Sequence, residues 1–185
     1  MARRLHPLLL ALTLLVLPAA VAADQKSPAL DGLFQRLKTA ASPAEAKPIE
    51  NAIWDLWHHK GVEAVDRTMA LGIVAASQGD LRRSLDYFDR VVRAAPDFAE
   101  GWNKRATVYY MMGDYTASVE DIRRTLALEP RHFGALSGMG LIYDALGDAE
   151  AAVKVWEKAL EIHPHMETIR NRIRELRSGA KGNPT

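Results

Sequence analysis

The sequence predicts an all-α protein, a solenoid of stacked helix–turn–helix units closed by a C-terminal capping helix. Two observations carry this. Pro96, Pro130 and Pro164 stand 34 residues apart, and a Gly-Asp pair recurs with the same step at Gly79-Asp80, Gly113-Asp114 and Gly147-Asp148. Two independent punctuation marks sharing one period across three units are the signature of a helical repeat array. Each proline follows an apolar helical stretch whose hydrogen bonding it cannot continue. Each glycine suits the left-handed turn that ends one helix, and the aspartate after it can cap the next. The short hinge leaves no room for a strand.

The chain opens with Met1-Ala2-Arg3-Arg4, a basic start, followed by a ten-residue apolar run from Leu8 to Leu17 and small residues ending at Ala22-Ala23. This order predicts a secretory signal peptide over residues 1–23. Cleavage after Ala22 or Ala23 fits; Ala23 is preferred because Asp24 opens a polar stretch. The apolar run falls short of the roughly 20 residues that span a bilayer. The expected location is therefore periplasmic or secreted, with membrane contact ending when the signal leaves. The chain has no cysteine, so an exported form takes its stability from packing alone. Without residues 1–23 there are 22 basic and 23 acidic residues, which gives no electrostatic case for nucleic acid. Residues 24–30 read as a linker.

Taking each proline as position 32 of a 34-residue unit gives repeats over 65–98, 99–132 and 133–166. Position 8 is then Gly72, Ala106 and Gly140, and position 20 is Ser84, Ser118 and Ala152, small every time. Position 24 is Phe88, Ile122 and Trp156, large every time. Alternating large and small side chains is what interlocking helices require. Asp97-Phe98-Ala99-Glu100 has capping-box spacing. Upstream, 31–64 reads as a degenerate repeat or an N-terminal capping hairpin. Ser42-Pro43 starts its second helix, Pro48 threatens to disturb that helix, and Trp54 and Trp57 share one face and are expected in the core. Downstream, Met166, Ile169, Ile173 and Leu176 follow helical spacing, opposite a run of arginines. This predicts a capping helix over 167–178, and 179–185 is expected to be a disordered tail.

Trp102 and Tyr109 in the second unit, Leu71-Gly72 in the first, and Met139-Gly140 with Tyr143 in the third together resemble the tetratricopeptide repeat signature. The resemblance implies a right-handed α-solenoid, with Trp102 buried at the seam between helices. It also implies that the first, or A, helix of each unit lines an inner groove through positions 2, 5, 9 and 12. The lining would be Met69, Ile73 and Ala76, then Asn103, Thr107 and Tyr110, then Ser137, Leu141 and Asp144. Apolar side chains mixed with a few hydrogen-bonding groups suit an extended or helical peptide of a protein partner rather than a small-molecule substrate. Tyr110 is the best single anchor. This expectation requires that the chain's own ends leave the hollow open. One subclass of the family grips chaperone C-termini with a Lys/Asn/Arg clamp. Here Met69, Ile73, Gly134 and Gly138 occupy clamp places and Lys104 stands where Asn belongs, so that specificity is not carried over. Arg105 holds position 7 and is expected to pair with Asp121 or Asp86.

Chemistry-bearing motifs are sparse. His58 and His59 are adjacent, hence about 100° apart on a helix. His163 and His165 flank Pro164 and read as exposed turn residues rather than ligands of metal spacing. Ser137 is in no nucleophile elbow, and Gly138-Met139-Gly140 follows no strand. No catalytic, cofactor or metal site is expected. Trp102-Asn103-Lys104-Arg105-Ala106 and Leu128 to Gly134 are similar to blocks of small exported bacterial repeat proteins without assigned activity. Two functions fit. One is a non-enzymatic interaction module of the bacterial cell envelope that binds a peptide or partner segment in its concave groove. The other is a structural subunit of an envelope assembly complex, using its convex face or C-terminal helix.

Overall fold

The computed structural model describes residues 26–181, and among them every regular element is helical. In order these are α1 (Ala29–Thr39), α2 (Pro43–His58), α3 (Glu63–Ser77), α4 (Leu81–Ala94), α5 (Ala99–Met111), α6 (Tyr115–Leu128), α7 (Phe133–Ala145), α8 (Ala149–Ile162) and α9 (Glu167–Lys181). The expected signal peptide, residues 24–25 of the linker and residues 182–185 of the tail lie outside the described residues. Of the described helices, none is long and apolar enough to cross a membrane.

Local chemistry sets the punctuation. Gly79, Gly113 and Gly147 have φ of 77°, 80° and 80°, a left-handed conformation that costs glycine no Cβ clash. Behind each, an aspartate carboxylate accepts the third backbone N–H of the next helix. The bonds are Arg83 N–H to Asp80 at 3.1 Å and Ala117 to Asp114 and Ala151 to Asp148, both at 3.0 Å. These bonds satisfy donors that would otherwise be orphaned at the helix start.

Helices α3–α4, α5–α6 and α7–α8 form three hairpins, and the second helix of each packs on the first helix of the next, α8 packing on α9. The seam inside each hairpin follows the large–small alternation. A Cβ on Gly72 would fall 2.6 Å from the Phe88 ring, and one on Gly140 would overlap the Trp156 indole. Position 20 adds a bond. Ser84 Oγ donates to the Gly72 carbonyl and Ser118 Oγ to the Ala106 carbonyl, each at 2.8 Å. In the third hairpin, where Ala152 has no hydroxyl, Trp156 Nε1 donates to the Ser137 carbonyl at 3.1 Å. Ile169 and Ile173 of α9 cover Trp156 and Ala152 at the C-terminal end.

Several expectations are corrected. Trp102 is half-buried rather than sealed in a seam. Its Nε1 donates to the Pro96 carbonyl at 2.9 Å, and the Arg105 guanidinium covers its face with 4.9 Å to the ring centroid. Arg105 does meet Asp121, bidentately at 2.7 and 2.8 Å, but its second partner is Asp89 at 2.8 Å and not Asp86. The capping box at Asp97 is not formed. Phe98 is the N-cap of α5 with no side-chain cap bond, and the Glu100 carboxylate turns inward. Helix α1 begins at Ala29, so the last part of the expected linker is helical and Leu30 is core. Helix α9 runs to Lys181, past the expected end at 178 and into the expected tail. Pro48 is accommodated within α2, which continues through it to His58.

The largest departure concerns α1 and α2. In a regular array α2 would stack on α3. Instead α2 packs against α5, and α1 against α8. The hairpin lies across the ends of the repeats, and its core of Leu30, Leu37, Ile49, Ile53 and Trp57 closes on Phe133, Ile162 and Met166. Trp57 is fully buried, as expected, whereas Trp54 is only half-buried. With α2 elsewhere, Leu71 and Val74 on α3 are 44% and 50% exposed, while the repeat-equivalents of Val74, Val108 and Ile142, are 1% exposed.

Candidate functional site

The A helices α3, α5 and α7 neighbour one another. Between α5 and α7 lies a pocket of about 160 Å³ with walls of Asn103, Ala106, Thr107 and Tyr110 on one side and Gly134, Ser137, Gly138 and Leu141 on the other. Ser118 and Ile122 of α6 form its floor. Gly138 gives the pocket depth, since a side chain there would rise toward Ile122 of the floor. No charged residue lines it. A cavity of ~150 Å³ holds a benzene-sized group, so this one suits a single apolar or aromatic side chain.

Five of the nine residues expected in the groove therefore meet in one pocket: Asn103, Thr107, Tyr110, Ser137 and Leu141. The other four, Ala76 among them, do not join them. Met69 is 1% exposed, drawn into the core with Val65, Phe88, Phe98 and Val108, because an unbranched apolar side chain gains more from burial than from an open groove. Ile73 is 38% exposed but stands apart from the pocket. Asp144 is held by Arg172 of α9 through bonds of 2.8 and 3.0 Å.

Position 2 of each A helix is where sequence reading missed most. Its occupants are Asp66, Glu100 and Gly134, and all three are engaged by α2 or by the connector that follows it. Asp66 accepts the backbone N–H groups of Lys60 and Gly61, at 2.7 and 3.2 Å. His58 Nε2 stands 3.3 Å from Glu100 Oε1, as an electrostatic contact without hydrogen-bond alignment. The Trp54 ring covers Gly134, where a Cβ would lie 2.6 Å from it. Beside the pocket, Asn51, Trp54, Asp55, His58 and Lys104 surround a shallow hollow of about 500 Å³. The chain's own N-terminal hairpin thus fills the position-2 row, while positions 5, 9 and 12 between α5 and α7 stay open.

The centre of this contact is a buried ionic cluster. Glu100 and His132 are both fully buried. His132 Nδ1 accepts the Ala135 N–H at 3.0 Å as the N-cap of α7, so Nε2 carries the proton and donates to Glu100 Oε2 at 2.9 Å. Asn103 Nδ2 donates to the same oxygen at 2.8 Å, and Lys104 Nζ lies 3.1 Å from Oε1. Burial by itself would push the Glu100 carboxyl up; the Lys104 charge and the His132 and His58 contacts outweigh it and hold it well below the usual carboxylate range. Trp57 stacks on the His132 ring at 4.1 Å and 9°. His163, expected to be an exposed turn residue, is 4% exposed. It sits edge-on to Phe133 with Glu50 at 3.7 Å, and burial pushes its pKa down from 6.5. His165 Nε2 reaches the Ala40 carbonyl at 2.7 Å. The sequence signal for this cluster is modest: an acid at a groove-facing repeat position and a histidine ahead of Phe133. No group of three or more His, Asp or Glu with metal-holding geometry occurs among the described residues.

Comparison with known proteins agrees with this architecture. The tetratricopeptide repeat family model matches residues 69–120 and 103–167, and the chain belongs to that family. A TPR repeat-containing protein of Rhizobium etli is 37% identical over 156 residues, covering 84% of this chain and 76% of that protein. Among solved structures, the Sgt2 TPR domain of Aspergillus fumigatus superposes with a TM-score of 0.61 at 18% identity, over 67% of this chain and 87% of that one. The first TPR of Spaghetti, bound to the HSP90 peptide SRMEEVD, superposes with a TM-score of 0.58 at 24% identity, over 63% and 94%.

Proposed function

We propose that this protein is a non-enzymatic interaction module of the bacterial cell envelope, exported through its N-terminal segment, that holds a peptide or partner segment between α5 and α7. The observation that carries the reading is the open, uncharged pocket lined by Tyr110, Thr107 and Leu141; the first TPR of Spaghetti, a structural neighbour, is itself bound to a peptide. The pocket's chemistry also selects the ligand. A chaperone tail ending in acidic residues wants cations; this pocket offers none, and the nearby Lys104 is committed to Glu100. The occupant is a segment with one apolar or aromatic anchor whose backbone bonds to hydroxyl and amide groups.

A peptide array probed with the parent protein and with Tyr110→Ala tests this. Selected peptides should bind the variant about ten-fold more weakly or worse, the usual loss when an aromatic anchor is truncated, while its thermal unfolding stays close to the parent's. Equal binding by both proteins would refute the groove assignment. Release of the protein by osmotic shock, rather than with cytosolic markers, checks the location.

A further inference from the structure

The hairpin that covers the position-2 row is attached by an unusual set of contacts. Trp54, His58 and the Lys60-Gly61 backbone meet Gly134, Glu100 and Asp66 in turn, so α2 and its connector cross α7, α5 and α3 as a bound peptide would. Of the five histidines in the described residues, four lie along this seam: His58, His132, His163 and His165. We propose that α2 and its connector are an autoinhibitory strap, a built-in occupant of the groove that protons loosen, and that its departure opens the position-2 row to the partner. The regulation rests on the groove reading; the loosening does not.

The proton response follows from the geometry around each ring. His132 caps α7 through an unprotonated Nδ1 and meets Glu100, Trp57 and Trp54, with His58 and Lys104 as the next charges around Glu100. Losing the cap at Nδ1 and gaining charge against Glu100 oppose each other at this ring, so His132 gives the loosening no direction. His163 faces Glu50 on α2, with Lys47 and His165 nearby and Phe133 beneath. Its buried Nδ1 has no partner, so a charge there is half unsatisfied. His165 already donates toward a carbonyl, and a further proton leaves that bond intact. His58 works in the opposite sense, because a charged His58 tightens on Glu100. His163 sets the sign, because it is buried with an unpartnered nitrogen, whereas His58 is 35% exposed and its gain is screened.

Hydrogen exchange on the intact protein at about pH 7.5 and 5.5, corrected for intrinsic rates, tests the strap. A ring that binds its proton more readily once opened shifts the opening equilibrium as pH falls, so amides of α2 should open several-fold more often at the lower pH, with α3 to α6 unchanged. His163→Gln should shrink that ratio, and His58→Gln should raise α2 exchange at both pH values. The array-selected peptides should bind more tightly at pH 5.5 than at 7.5, and His163→Gln should flatten the difference. An α2 that exchanges equally at both pH values overturns the proposal, as does loosening that comes only with global unfolding. Peptide affinity unmoved by pH while α2 loosens overturns the autoinhibition. Loosening together with peptide binding that ignores Tyr110→Ala leaves the strap standing and removes the groove reading.

Discussion

Arg105 shows how a single side chain can tie the array together. It bonds Asp89 on α4 and Asp121 on α6 from its own place on α5, and those contacts raise its pKa, the Asp121 bonds most of all. Asp121 is 4% exposed, so losing the guanidinium strands a buried carboxylate. Arg105→Met should therefore destabilise by roughly 3–5 kcal/mol, the cost of breaking a buried pair from one side. Adding Asp121→Leu should recover much of that loss, which chemical denaturation of the single and double variants would measure. Trp102 is a milder case. Half-exposed and packed under the Arg105 guanidinium, it should cost about 1–2 kcal/mol on truncation, whereas fully buried Trp57 should cost about 3–5 kcal/mol. Equal losses for the two variants would contradict the burial described here.

At the scale of an element, the A and B helices of each repeat lock through positions 8 and 24. Gly140 is tightest, lying directly under Trp156. Gly140→Val should lower stability by about 1–3 kcal/mol through overpacking. The same change at Gly32, where an added Cβ meets nothing within 4 Å, should be neutral or slightly stabilising, because valine is a better helix former than glycine. A thermal-unfolding comparison of the two variants checks the seam. This part of the fold was legible in sequence, because a 34-residue period places equivalent residues in equivalent environments. Gly79, Gly113 and Gly147 adopt the expected positive φ, and Asp80, Asp114 and Asp148 cap as expected. Where the period fails, so does legibility. The capping box at Asp97 matched the spacing, yet Glu100 was claimed by His132 and Lys104, which local pattern does not encode.

For the whole molecule, stability should fall in two stages as pH drops. His163 has a folded pKa below its ordinary 6.5. Above 6.5 neither state holds the proton; below it the unfolded chain binds one first, so stability is lost from about pH 6.5 downward. Glu100 has a folded pKa depressed below 4.5. Its contribution is intact above that value and is lost as pH falls past it and the unfolded carboxylate protonates. Urea midpoints between about pH 8 and 3 should show the first decline near neutrality and a second below about pH 4.5, with the first missing in His163→Gln. A profile flat from pH 8 to 5 would contradict the burial of His163.

Sequence alone determined the repeat, its caps, its large–small seams and which A-helix faces turn inward, because all of these depend on neighbours within one period. Asn103, Thr107, Tyr110, Ser137 and Leu141, assigned to one groove by family resemblance, do line one pocket. Only the tertiary structure decided that α2 leaves its stacking place on α3 and crosses the ends of α5 and α7. That choice is settled by long-range contacts, Trp57 on His132 and Trp54 on Gly134, between residues too far apart in the chain for any local pattern to join them.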